Sequence, residues 1–257
     1  MKVTTSYSMN RSRVERILGA FRKKKILVFG DVGVDKYTVG RVSRISPEAP
    51  IPIVEVTSTQ LKLGLAANVA DNVRALGGHA MLVGVIGKDL GAHDFKSLLR
   101  HTRIPDKHLI SDGTRRTTLK ERVVAESQQV VRIDHETQKK IDAKIIREVW
   151  NRLEKALSVA DCVIIEDYSK GLVEVSVCRQ LMAAAEERDI PVLVDPNSKS
   201  TPTIYQLVSG ADIVEAALLA NYAAGIEVGK RGTATVTIDE LRDFMDFVGR
   251  RGRHRRA

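Results

Sequence analysis

Ile26-Leu27-Val28-Phe29-Gly30-Asp31-Val32-Gly33-Val34-Asp35 decides the fold of this chain. An apolar run ends in a glycine and two aspartates, as a strand buried on both faces does when it delivers polar groups at its C-terminal end. Further short apolar runs follow at Ala80–Val85, Cys162–Ile165 and Val192–Asp195. Helical patterns at Gly64–Leu76, Gly91–Arg100, Gln138–Leu157 and Val173–Arg188 separate them. This alternation predicts an α/β fold with a parallel sheet flanked by helices. Lys36–Arg41, Ile51–Thr57, Thr117–Val124 and Gln129–Asp134 alternate polar and apolar residues and predict a small β lid, from about 36–57 and 117–133. After Asp195 the reading finds helices at Ala211–Gly225 and Ile238–Val248 and no convincing buried strand, so one side of the sheet is expected to be unbuilt.

With 257 residues, 43% hydrophobic and 28% charged, the chain can form one substantial core. No apolar run has the length of a membrane span and no signal-peptide pattern opens the chain, so a cytoplasmic protein is expected. The net charge of +9 is unevenly placed. Arg22-Lys23-Lys24-Lys25 precedes the first strand, and Arg250, Arg251, Arg253, Arg255 and Arg256 crowd the C-terminus, which reads as a solvated tail. Aromatic residues are only 4% of the chain, so a stacking platform for nucleic acid is not expected. Cys162 and Cys178 have no metal-like spacing and read as buried thiols, and the histidines suggest no metal cage.

The candidate site residues follow the strand ends. Asp31 and Asp35 can accept hydrogen bonds from sugar hydroxyls, or they can simply end a strand in a turn. Gly64-Leu65-Ala66-Ala67-Asn68 lets a helix start approach a ligand, or packs a helix closely on a sheet. Leu65 is inexpensive in a helical conformation and strained at positive φ. Within Ser43–Pro50, Arg44 offers a planar fork for phosphate, unless the segment is only a charged loop at the base of the lid. Glu166-Asp167-Tyr168-Ser169-Lys170-Gly171 follows another strand, with Lys170 placed to meet a phosphate and Asp167 to orient it. Asp195-Pro196-Asn197 closes the next strand. Lys120 and Arg122 alternate with apolar neighbours and read by default as a solvated face.

These motifs, in this order, resemble the ribokinase-like (PfkB) carbohydrate kinases, and Ser43–Pro50 is most similar to the branch acting on heptose 7-phosphate. The resemblance covers residues 25–205 and about 207–245. It implies a ribokinase-like α/β sheet with a β lid, ATP and Mg²⁺ as cofactors, a sugar phosphate as ligand, and a homodimer formed through the lids. It makes Asp35 and Asn68 sugar ligands with Asp31 and Gly64 beside them, and Arg44 and Lys170 phosphate ligands. Asp195 and Asn197 would lie near phosphate and magnesium, and Asn221 and Gly225 where the family closes over adenine. The implied organisation is an N-terminal extension at 1–24, a kinase domain at 25–248 and a basic tail at 249–257.

One departure bears on mechanism. The family's Gly-Ala-Gly-Asp turn, which carries the base and the anion hole, does not occur in the sequence. Tyr205–Val208 joins segments that the family holds apart, so an internal deletion is expected there, removing much of the nucleotide-binding half. Two readings follow. One is an ATP-dependent heptose 7-phosphate kinase of lipopolysaccharide-core precursor synthesis, impaired in phosphoryl transfer to the anomeric hydroxyl. The other is a catalytically inactive remnant that binds sugar phosphate or dimerises.

Overall fold

The computed structural model describes residues 11–126, 128–195 and 237–244. Asn197, Asn221, Gly225, the expected junction at 205–208, the helix expected at 211–225 and the basic tail lie outside the described residues.

In chain order the elements are α1 (Arg11–Phe21), β1 (Lys25–Gly30), β2 (Val32–Ile45), β3 (Pro52–Leu65), α2 (Ala66–Ala75), β4 (His79–Ile86) and α3 (Leu90–Thr102). Then come β5 (Leu109–Ser111), β6 (Thr118–Ala125), β7 (Gln128–His135), α4 (Ala143–Leu157), β8 (Cys162–Glu166), α5 (Val175–Glu186) and β9 (Val192–Asp195). Five strands form a parallel sheet in the order β5-β4-β1-β8-β9. The chain builds outward from β1 to β4 and β5, then crosses to β8 and β9 on the other side. Strands thus lie on both sides of β1, and the switch in direction lies between β1 and β8, where open sheets place ligands. The expectation that no strand follows Asp195 falls on residues 196–236, outside the described ones.

The alternation of β1 explains the layers. Leu27 and Phe29 join the core under α4 and α5, while Ile26 and Val28 join the core under α2 and α3. On α4, Ile145, Val149, Leu153, Ala156 and Leu157 make one buried stripe. The helix expected from Gln138 begins instead at Ala143, because the Asp142 carboxylate accepts from the Ile145 N–H at 2.8 Å and caps it there. Gly30 lets β1 and β8 meet closely, since a Cβ there would stand 2.2 Å from the Glu166 carbonyl oxygen. The N-terminal segment is docked onto the domain. Val14, Ile17 and Leu18 of α1 are buried, and Arg242 donates to Glu15 at 2.6 and 2.8 Å. No helix among the described residues is long and apolar enough to cross a membrane.

The expected lid is a four-stranded sheet, β3-β2-β6-β7, with longer strands than the sequence suggests. β2 and β3 form a hairpin of 14-residue strands with register shifts at Val39/Gly40 and Val42/Arg44. Asp89 ties the lid to the domain: its carboxylate accepts from the Ala92 N–H at 2.9 Å, capping α3, and from the Thr117 hydroxyl and N–H at 2.7 and 2.8 Å. Asp89→Ala should therefore cost about 2 kcal/mol, against about 1 kcal/mol for the simple cap Asp142→Ala. Urea denaturation of the two variants checks this, and equal losses would show that the Thr117 bonds carry no stability.

Candidate functional site

The site lies where β1 and β8 end beneath the lid. Asp31, only 3% exposed, stands just past β1. Its Oδ2 accepts from the backbone N–H groups of Lys170 at 3.0 Å and Tyr168 at 3.1 Å. Its carbonyl accepts from the Ala66 N–H at 3.0 Å, and its own N–H donates to the Glu166 carbonyl at 3.3 Å. Burial pushes the carboxyl pKa up, while the N–H groups of Lys170, Tyr168 and Leu172 oppose that rise. Asp31 thus joins β1, the turn after β8 and the start of α2. Its side chain serves the protein's own amides.

Asp35 is placed by β2, opposite Lys62 of β3 and Lys120 of β6. Its carboxylate pairs with Arg122, one step further along β6 on the same face. Gly64 makes room for it, since a Cβ there would stand 2.7 Å from Asp35 Oδ2. The Lys62 ammonium and the Arg122 guanidinium lie 5.7 and 5.5 Å from the centre of the Tyr37 ring. Asp31 and Asp35 are therefore neighbours with different tasks, one turned to the 166–170 turn and one to the lid face.

Lys170 is half-buried beside Glu136, donating to its Oε1 at 2.8 Å. Burial works to raise the Glu136 pKa, but the bonds from Lys170 and Gln138 win and hold it low. Glu136 orients Lys170, the role the sequence reading assigned to Asp167. Asp167 is engaged elsewhere: its Oδ1 accepts from the Ser169 N–H at 2.8 Å and its N–H donates to the Asp195 carbonyl at 3.1 Å. Lys120 is half-buried with its ammonium 5.7 Å from the Tyr168 ring centre. Burial first, then the Lys170 charge, lowers its pKa against the pull of Asp35, Asp134 and Glu136. Lys120 and Arg122 are thus half-buried against Tyr168 and Asp35 and do not form a solvated face. The missed signal is their two-residue spacing on the strand that pairs with Asp35.

Leu65 caps the end of β3 and the start of α2 at φ 58 and ψ −138, with no side-chain bond. That conformation favours glycine and strains a leucine by about 1–3 kcal/mol. Asn68 is half-buried on the first turn of α2, and its carbonyl accepts from Asn72 Nδ2 at 3.1 Å. Arg44 is not brought to this cluster. It is exposed near the tip of the lid, nine residues beyond Asp35 on β2, roughly 30 Å along an extended strand. Ser43–Pro50 is the lid tip rather than its base, its turn closed by Ser46 N–H to the Ile51 carbonyl at 2.8 Å.

Glu166 and Asp195 end neighbouring strands in register. Glu166 is 4% exposed and its Oε2 has no hydrogen-bond partner. Burial, with the Asp195 charge adding to it, pushes its pKa up to about 8. The arrangement as a whole sets carboxylates beside a group of ammonium and guanidinium cations, chemistry suited to a polyol that carries phosphate. Among the described residues no group of three or more His, Cys, Asp or Glu side chains could hold a metal ion.

A raised carboxyl pKa favours the protonated form in the folded state. The contribution of Glu166 to stability is complete below its ordinary value of 4.5 and is lost as pH rises through about 8. Glu166→Gln should flatten the fall in melting temperature across that window, measured without divalent cations. A variant that keeps the wild-type slope would contradict this placement.

Comparison with known proteins agrees with this geometry. The chain is 38% identical over 176 residues to the bifunctional protein HldE of Helicobacter pylori, covering 68% of this chain and 38% of that protein. It is 40% identical over 190 residues to the bifunctional protein HldE of Azorhizobium caulinodans, covering 74% and 39%. The chain spans about two fifths of the length of these relatives. Among solved structures, Escherichia coli phosphofructokinase-2 in complex with fructose-6-phosphate shares the fold, with a TM-score of 0.51 at 20% identity over 69% of this chain and 55% of that one. The 2-dehydro-3-deoxygluconokinase of Thermotoga maritima gives a TM-score of 0.51 at 18% identity over 68% and 52%. The pfkB carbohydrate kinase family matches residues 23–205, which contain β1 to β9 and the whole cluster around Asp35, and this chain belongs to that family.

Proposed function

We propose that this chain binds a heptose 7-phosphate beneath its lid and descends from an ATP-dependent kinase for that sugar, with phosphoryl transfer impaired. The observation that carries the reading is the cluster of Asp35, Lys120, Arg122 and Lys170, held between the lid and the C-terminal ends of β1 and β8. Asp35 is the sugar-hydroxyl acceptor, with Asn68 beside it, and the cations take the phosphate. The similarity to two HldE proteins favours a heptose phosphate as the sugar.

ATP and Mg²⁺ enter as family expectations. Glu166, with a buried unpartnered oxygen, and exposed Asp195 next to it fit a magnesium position. Bound Mg²⁺ and ATP would supply the phosphoryl group and neutralise its oxygens. Impairment rests on the sequence, which lacks the Gly-Ala-Gly-Asp turn, and the family match ends at residue 205, beside the proposed junction. Dimerisation in the cytoplasm completes the reading: Val42, Ile45, Ile51 and Val56 are exposed on the lid, where a second lid would cover them and receive Arg44.

Calorimetric titration with heptose 7-phosphate should show saturable binding, weakened on the order of tenfold by Lys120→Gln or Lys170→Gln, since bonds to charged groups contribute about 1.5–3 kcal/mol. Leu65→Gly should tighten binding by relieving the strained α2 start. Unchanged affinity in both lysine variants would place the sugar elsewhere. In a coupled kinase assay, turnover should be lower on the order of 10⁴-fold or more than in an enzyme with an intact base and anion hole. Ordinary turnover abolished by Asp195→Asn would show that the site has been rebuilt and that the impairment reading is wrong.

A further inference from the structure

A second cleft, of about 390 Å³, opens at the opposite end of the sheet. It lies where β1 and β4 begin, and Lys25 and His79 face each other there in register. Asp31 marks the other end of β1, roughly 20 Å away for a six-residue strand. Lys25, Arg74, His79, Arg103, Lys107 and His108 line this cleft.

Two of these side chains hold polar atoms that the protein leaves unsatisfied. His108 is 7% exposed and its Nδ1 is buried without a hydrogen-bond partner. Arg74 donates from Nη1 to the Gly78 carbonyl at 2.8 Å, but its Nε is buried without a partner. Leaving a buried donor unpaired costs about 1–3 kcal/mol, and more for a charged group. Both side chains line the cleft, and a side-chain rotation would turn each of these atoms toward an acceptor bound there.

The surrounding charge says what that acceptor is. Burial, then the charges of Lys107, Arg152 and Lys155, lowers the His108 pKa, so cations approach it from its own loop and from α4. Asp161, at the same sheet edge, is committed to the Lys24 ammonium at 3.1 Å and the Lys25 N–H at 2.7 Å. The carbonyls at the ends of α2 and α3 attract cations too, and they account for the bond from Arg74 Nη1. They do not account for Lys25, His79, Lys107 or His108, which lie on strands and a loop. A single phosphate would leave most of a cleft this size empty, whereas a diphosphate spans several of these cations.

We infer that this basic cleft is a binding site for a diphosphate group, free or carried by a small molecule, separate from the site beneath the lid. The probe is pyrophosphate, titrated calorimetrically into the full chain at physiological ionic strength, with sulfate as the comparison anion. Pyrophosphate should bind saturably and more tightly than sulfate. Lys107→Glu, an exposed position whose change leaves the core intact, should weaken binding tenfold or more, while Lys144→Glu, exposed at the start of α4, leaves it unchanged. The ring signals of His108 in NMR spectra, assigned with His108→Asn, should shift on addition of pyrophosphate and stay fixed in Lys107→Glu. The inference is overturned by absence of saturable binding, by equal affinity for sulfate, by insensitivity to Lys107→Glu, or by an equal loss in Lys144→Glu.

Discussion

A buried carboxylate held by backbone amides organises this molecule. Asp31 leaves water at the end of β1, and the N–H groups of Tyr168 and Lys170 replace its hydration. A carboxylate accepting several amide bonds is stable in a low-dielectric setting, and an unpaired one is not. The same residue accepts from Ala66 and donates to Glu166 through its backbone. Three segments that are distant in sequence meet at one residue. They do so at the switch point of the sheet, where the chain turns to opposite sides of β1.

The lid inherits its position from this junction. β2 starts one residue after Asp31, and β3 ends one residue before α2 begins. Asp35 is carried over the strand ends by that geometry, and β6 then brings Lys120 and Arg122 beside it. The strain at Leu65 sits on the same path, at the last residue of β3. Strained backbone persists where the surroundings over-determine it, and here both the lid hairpin and α2 do.

Much of this was legible in the residues. Short apolar runs named β1, β4 and β8 because strands buried on both faces have no polar positions to blur the pattern, and the half-buried β9 is as apolar up to Asp195. Asp31, Asp35 and Lys170 were legible as strand-end residues. The identity of their partners was not. Alternation says that Lys120 and Arg122 share a face, but only strand pairing says that the face holds Asp35. Glu136 escaped notice because it lies outside any motif, in the connection after β7. The length of the lid was hidden by Ser58, Thr59 and Gln60, which read as loop and are strand, and so Arg44 was expected much nearer the site. β5 is three residues long, too short for a periodic signal.

Amide hydrogen exchange on the full chain and its Asp31→Ala variant tests the central claim most directly. If the Asp31 carboxylate holds the turn after β8, the Tyr168 and Lys170 amides lose protection in the variant while the central amides of β4 keep theirs. Unchanged protection at Tyr168 and Lys170 would contradict the account.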